Sequence, residues 1–161
     1  MSSIQIRVAT ESDAPMLARF RYELRSTAGE MNESANEFIE RCALWMRERL
    51  CSGSSWQCWI AEADDAACGN VWAHLVEKIP NPVIESECYI YVTNFYVCEE
   101  YRGRGIGSRL LSEVLAWGKR RNAHTAILWP RERSKSLYRR HGFTVADDVM
   151  RLVITPKGER P

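Results

Sequence analysis

Between Arg102 and Gly107 the chain reads Arg-Gly-Arg-Gly-Ile-Gly, two guanidinium groups interleaved with three glycines. Glycine lets backbone NH groups come close to a ligand, and a helix that starts there adds roughly half a positive charge. A pyrophosphate held without a metal suits that chemistry. Two other phosphate loops fail at named positions. A nucleotide P-loop needs four residues between its glycines and then Gly-Lys-Ser or Gly-Lys-Thr, and both the lysine and the spacing are missing. A dinucleotide fingerprint needs glycine or alanine where Ser108 falls, and an acidic ribose ligand where the next strand ends in Trp129 and Pro130.

Other side chains with chemical capacity are less suggestive. His74 sits in "VWAHLV", the pattern of a packed or surface strand residue, and His141 precedes Gly142 as a helix C-terminal cation would. Three histidines without paired spacing argue against a metal site. The six cysteines, Cys42, Cys51, Cys58, Cys68, Cys88 and Cys98, include no Cys-x-x-Cys pair, and several lie in apolar runs as buried free thiols do.

The loop has to be positioned by its neighbours. "ECYIYVTNFYV", ending at Val97, is apolar on both faces and reads as an interior strand of a covered sheet. A helix follows from about Gly105 to Arg121. Upstream, "IQIRVA" alternates as a strand, "TESDAP" opens a helix to about Arg25, and Ser34 with Glu37 has the spacing of a capping box for a second helix to near Leu50. "QCWIAEA" and "GNVWAHLVEK" form a hairpin across Asp64 and Asp65. Downstream, "TAILW" reads as a strand, Glu132 to His141 as a helix, and "VMRLVI" as a last strand closing the sheet. The order predicts a mixed α/β layer with helices on both faces.

At 161 residues the chain fits one domain, and 45% hydrophobic with 27% charged residues marks it as globular. Its 22 basic and 21 acidic side chains lack the basic excess of a nucleic-acid footprint. The N-terminal "MSSIQIRVAT" has no signal-peptide pattern and no run reaches a membrane span, so the expectation is a cytoplasmic protein with no membrane partner.

Two stretches resemble the GNAT family of N-acetyltransferases. "YVTNFYVCEEYRGRGIGSRLL" is similar to that family's central strand, its acetyl-CoA signature Arg/Gln-x-x-Gly-x-Gly/Ala and the helix after it. "SKSLYRRHGF" is similar to the second landmark, a helix carrying Leu-Tyr with Gly-Phe beyond. The element order matches from Ile4 to Ile154.

The resemblance implies one domain over residues 1–161, built on a mixed, mostly antiparallel sheet covered by helices on both faces. It implies acetyl-CoA as co-substrate and no metal. Arg102, Gly103, Arg104, Gly105, Ile106, Gly107 and Ser108 would hold the pyrophosphate. Phe95, Tyr96 and Val97 would offer backbone groups to the pantetheine arm and acetyl carbonyl. Ser134 falls where the family often has Ala or Ser; Arg131 replaces a common asparagine and could reach a phosphate instead. Tyr138 takes the role of general acid: with a pKa of about 10 a tyrosine is protonated at neutral pH and can supply the departing thiolate.

For the base, Glu87 is the chosen candidate, with Glu30, Glu33 and Glu85 behind it. Acidic residues in "STAGEMNE" and "EKIPNPVIESE" suit a cationic acceptor amine, whether a small molecule, a peptide or a protein. A homodimer is left open. The rival readings are an acyl-CoA binding or sensing module without turnover, and a nucleic-acid domain using its arginine clusters, which the neutral charge disfavours.

Overall fold

Asp64 and Asp65 both take left-handed backbone conformations, with φ of 50° and 62°. That is the geometry of a two-residue turn whose twist matches a hairpin, and it joins β2 (Trp56–Ala63) to β3 (Ala66–Glu77). The computed structural model describes residues 3–26 and 28–154, which fall into two compact units divided between Trp129 and Pro130.

The first unit is built on five strands in the order β1-β2-β3-β4-β5. β1 (Ile4–Val8), β2, β3 and β4 (Cys88–Val97) are antiparallel neighbours, whereas β5 (Ala126–Ile127) runs parallel to β4. Between β1 and β2 come α1 (Ala14–Arg25) and α2 (Ala35–Arg49); α3 (Ile106–Arg120) makes the crossover from β4 to β5.

Alternation along β2 sends its side chains to two cores. Trp59, Ala61 and Ala63 join Ile106, Leu110 and Val114 of α3 on one face. Cys58 and Ile60 join Leu17 and Ala18 of α1 and Met46 of α2 on the other. Each buried Leu or Ile contributes about 1.5–3 kcal/mol relative to exposure. The expected mixed sheet with helices on both faces is therefore the architecture found. α2 begins at the expected capping box: Ser34 Oγ accepts from the Glu37 NH at 3.3 Å, and Glu37 Oε2 accepts from the Ser34 NH at 2.9 Å. α3 lies close enough to the sheet that a Cβ at Gly118 would stand 2.8 Å from Ile90 Cδ1.

Ahead of α1, Arg7 makes a two-pronged contact with Asp13, Nη1 to Oδ2 and Nη2 to Oδ1, both at 2.8 Å, while its Nε donates to Glu62 Oε1 at 2.8 Å. The guanidinium holds the Asp13 carboxyl down to about 2, against the opposing effect of burial.

In the second unit, a single turn of 3-10 helix (Glu132–Ser134) leads into α4 (Lys135–Arg140). The expected helix from Glu132 to His141 is thus broken into a tighter first turn and a short α-helix. Gly142 has φ of 86° and ends it, as its position suggested. The expected last strand "VMRLVI" is not formed: residues 148–154 have no ladder partner, and Val149, Met150, Leu152, Val153 and Ile154 are exposed. Apolar alternation is only half of a strand; the ladder is the other half, and β5 is two residues long rather than the five of "TAILW".

Candidate active site

The sheet is irregular where β4 meets β3. Asn70 is opposite Tyr96 and Trp72 is opposite Thr93, so β4 spends one residue more than β3 over that interval. The surplus is a β-bulge, and Asn94 within it has φ of 48°. Asparagine tolerates this left-handed conformation better than branched residues do. Arg21 of α1 donates from Nη1 to Asn94 Oδ1 at 3.3 Å.

On its other side β4 leaves β5 early. Their ladder consists of Ile90 with Ala126 and Tyr91 with Ile127, after which β4 continues to Val97 with no described strand beside it. Phe95 and Val97 pack toward the α3 core. Tyr96 turns to the opposite face, its ring 5.2 Å from Phe20 and its hydroxyl donating to Glu23 Oε2 at 2.5 Å. The bulge, the parting of β4 from β5 and the strand's last residues thus occur together.

The glycine loop follows directly. Gly103 and Gly105 both have φ of 77°, and a Cβ on either would meet nothing within 4 Å. Backbone conformation, not crowding, calls for glycine at these positions. Gly105 is the N-cap of α3 and makes no side-chain cap hydrogen bond, so the helix start lacks that cap. Ile106 is buried and anchors the helix start, while Gly107 and Ser108 complete its first turn. Arg104 lies over the Tyr101 ring at 5.1 Å. Arg102 instead ties the loop to the strand: its Nε donates to Val97 O at 3.0 Å, and Nη1 is 3.7 Å from Glu99. An uncapped helix start, two left-handed glycines and Arg104 make a donor set suited to a pyrophosphate.

In the second unit, Tyr138 is buried, with its ring edge-on to Phe143 at 5.7 Å. Burial pushes the phenol up, and the side-chain hydrogen bond it shares with Ser134 partly offsets that. The result is an acid that stays protonated well above neutrality. Arg131 caps the 3-10 turn, and Ser134 Oγ donates to its carbonyl at 2.9 Å.

Other candidates are placed elsewhere. Glu87 precedes β4, where its Oε1 accepts from the Asn81 NH at 2.9 Å; along the strand that is about 20 Å from the bulge. Glu33 is paired with Arg41 and Glu85 with Lys78. His74 stacks on Trp56 at 4.3 Å with Nε2 beside Ser55 Oγ, and burial lowers its pKa. Two residues at the bulge had no sequence signal. Glu23 reaches Tyr96 from 73 positions away. Asn70, 0% exposed, has both amide atoms without a hydrogen-bond partner.

Among the described residues no cluster of three His, Cys, Asp or Glu side chains could hold a metal, and no helix is long and apolar enough to cross a membrane.

Residues 54–145 match the family model for the acetyltransferase (GNAT) domain. No curated protein matches the chain at a significant level. Solved structures do. A GCN5-related N-acetyltransferase from Ralstonia eutropha is 24% identical, with 94% of this chain and 99% of that one covered at a TM-score of 0.77. A protein from Clostridium acetobutylicum, solved with acetyl-CoA and described as a predicted acetyltransferase, is 21% identical, with 94% and 96% covered at 0.78. Glucosamine-6-phosphate N-acetyltransferase from Arabidopsis thaliana is 15% identical, with 95% and 99% covered at 0.69. At these identities the likeness is one of fold.

Proposed function

The chain belongs to the GNAT acetyltransferases, and from that premise we propose that it moves an acetyl group from acetyl-CoA to a primary amine, in the cytoplasm and without a metal. The observation that carries the reading is the continuity of three features: the β4 bulge at Asn94, the parting of β4 from β5, and the uncapped start of α3 behind Gly105. Acetyl-CoA supplies the activated acyl group and a thiolate leaving group. The helix-start NH groups and Arg104 hold its pyrophosphate. Backbone groups of Phe95, Tyr96 and Val97 align the pantetheine arm, with Val97 O shared with Arg102. NH groups at the bulge face the charge that gathers on the acetyl oxygen.

Attack by the neutral amine forms the C–N bond and breaks the C–S bond; the thiolate takes a proton, and the proton shed by the nitrogen passes to water, from which the donor is restored. Tyr138 is the donor we assign, since burial keeps its phenol protonated across the working range. Ser134 sets that hydroxyl's environment, and Arg131 is the candidate partner for a phosphate of the co-substrate.

The test is thermal denaturation with acetyl-CoA, followed by assay of free thiol in the presence of amines. A ligand at about a hundred times its Kd stabilises by about 2.7 kcal/mol, so the melting temperature should rise by several degrees. No stabilisation at millimolar acetyl-CoA would overturn the reading. Stabilisation without thiol release from any amine would establish the alternative, an acyl-CoA binding or sensing module.

A further inference from the structure

Three of the acidic residues that suit a cationic acceptor in the sequence have partners of their own in the structure: Glu33 has Arg41, Glu85 has Lys78, and Glu87 has the Asn81 NH. Glu23 differs in its place, held by Tyr96 of the bulged strand. It is exposed on α1, and no lysine or arginine among the described residues forms an ion pair with it. Its partner is the neutral hydroxyl of Tyr96, which fixes the carboxylate without cancelling its charge. Burial and Glu23 itself raise the pKa of that phenol, so it remains a neutral donor.

A second observation lies on the same face. Asn70 pairs in register with Ile60 on one side and Tyr96 on the other, which puts its side chain on the α1 face of the sheet. It is fully buried, and neither its Oδ1 nor its Nδ2 has a partner. An unmatched buried amide costs about 1–3 kcal/mol, a cost removed when a polar group meets it. Tyr96 is neighbour to both: its hydroxyl holds Glu23, its place on β4 is opposite Asn70, and Phe20 lies against its ring.

Resting on the acetyltransferase reading, we propose that Glu23, held by Tyr96, recognises a second, non-reacting ammonium on the acceptor, so that the preferred substrates are aliphatic diamines or polyamines. The carboxylate stands a tyrosine's length from the β4 backbone. That is too far to touch an acetyl carbonyl at the bulge, and the right scale for the other end of a short alkyl chain. Arg21, two residues before Glu23 on α1, donates to Asn94 Oδ1.

The experiment compares 1,4-diaminobutane with butylamine, which has the same chain but one ammonium, and with glucosamine-6-phosphate, whose second charge is negative. Acetyl transfer is followed by thiol release and product mass, and acetyl-CoA binding is measured separately by calorimetry. The wild-type protein should prefer the diamine over butylamine by about two- to fivefold in kcat/KM, the effect of one exposed ion pair. Glu23→Gln should bring the diamine down to the level of butylamine through KM, Glu23→Asp should restore part of the preference, and both should bind acetyl-CoA as the wild type does. Equal use of diamine and butylamine, preference for the phosphosugar, or a preference that survives Glu23→Gln overturns the proposal. If those results come with normal acetyl-CoA binding, only this inference falls; absent acetyl-CoA binding removes the parent reading as well.

Discussion

Arg21 Nη1 donates to Asn94 Oδ1 at 3.3 Å, so α1 is fastened to β4 at the residue where the strand carries its surplus. The contact lets a helix on one face of the sheet hold an irregularity in its backbone. Substitution separates backbone from side chain here. Asn94→Gly keeps the left-handed conformation open and loses only the arginine contact, whereas Asn94→Val adds a β-branched clash of about 1–2 kcal/mol. Urea denaturation should rank stability as wild type, then Asn94→Gly, then Asn94→Val. Initial rates should fall further in Asn94→Val than in Asn94→Gly, because the valine reshapes the bulge.

Gly105→Ala tests the anion cradle. A Cβ there meets no neighbour, so the whole cost is conformational, about 1–2 kcal/mol for a residue at φ of 77°. Where that strain is relieved by turning the N-cap, the helix-start NH groups turn with it. Calorimetry should show acetyl-CoA binding weakened by about tenfold, while the rate at saturating acetyl-CoA changes less.

Tyr138→Phe removes the assigned acid and leaves its ring contact with Phe143. The turnover number should drop about a hundredfold or more with acetyl-CoA affinity nearly unchanged. In the wild type, loss of the Tyr138 proton should appear as a decline in rate only above the ordinary tyrosine range, because burial raises its pKa. The Ser134 hydroxyl acts in the opposite direction, so Ser134→Ala should move that decline to still higher pH. A pH–rate profile in which Tyr138→Phe retains the same decline would remove Tyr138 from the role.

Much of this was legible in the chain, and the part that was not has a common cause. Helices α1, α2 and α3 and the β2–β3 hairpin announce themselves through local chemistry: Ser34 with Glu37, Asp64 with Asp65, the glycines before Ile106. The loop's own geometry also belongs to this local class. What failed depends on a partner elsewhere. "VMRLVI" alternates like a strand yet finds no ladder, and "TAILW" holds only two residues beside β4. The bulge is hidden because Asn94 lies in an unbroken β pattern, and the Glu23–Tyr96 contact spans 73 positions. Glu87 looked close to the site in sequence; the length of an extended strand carries it away.

Asp13 gives a stability prediction independent of catalysis. Its folded pKa of about 2 is below the ordinary value of 3.8, so between those values the unfolded chain binds the proton more readily. The stabilisation is complete above about pH 4 and is lost as pH falls through about 2. Because the Arg7 side chain is 39% exposed, solvent screening reduces the contribution to about 1–2 kcal/mol. Asp13→Asn should therefore lower stability by about that much at pH 7, and the gap between variant and wild type should narrow toward pH 2 in urea titrations.

The close approach at Gly118 gives α3 a seat on β4. Twelve residues separate it from Ile106, about 18 Å of helix, and the Ile90 side chain on which it rests belongs to the same strand that bears the bulge. Both ends of the helix therefore refer to β4, one through the loop that follows Val97 and the other through Ile90. A methyl group added at Gly118 would press first on Cδ1, the far end of the Ile90 side chain, so the seat of α3 on β4 is set by how far that tip can turn.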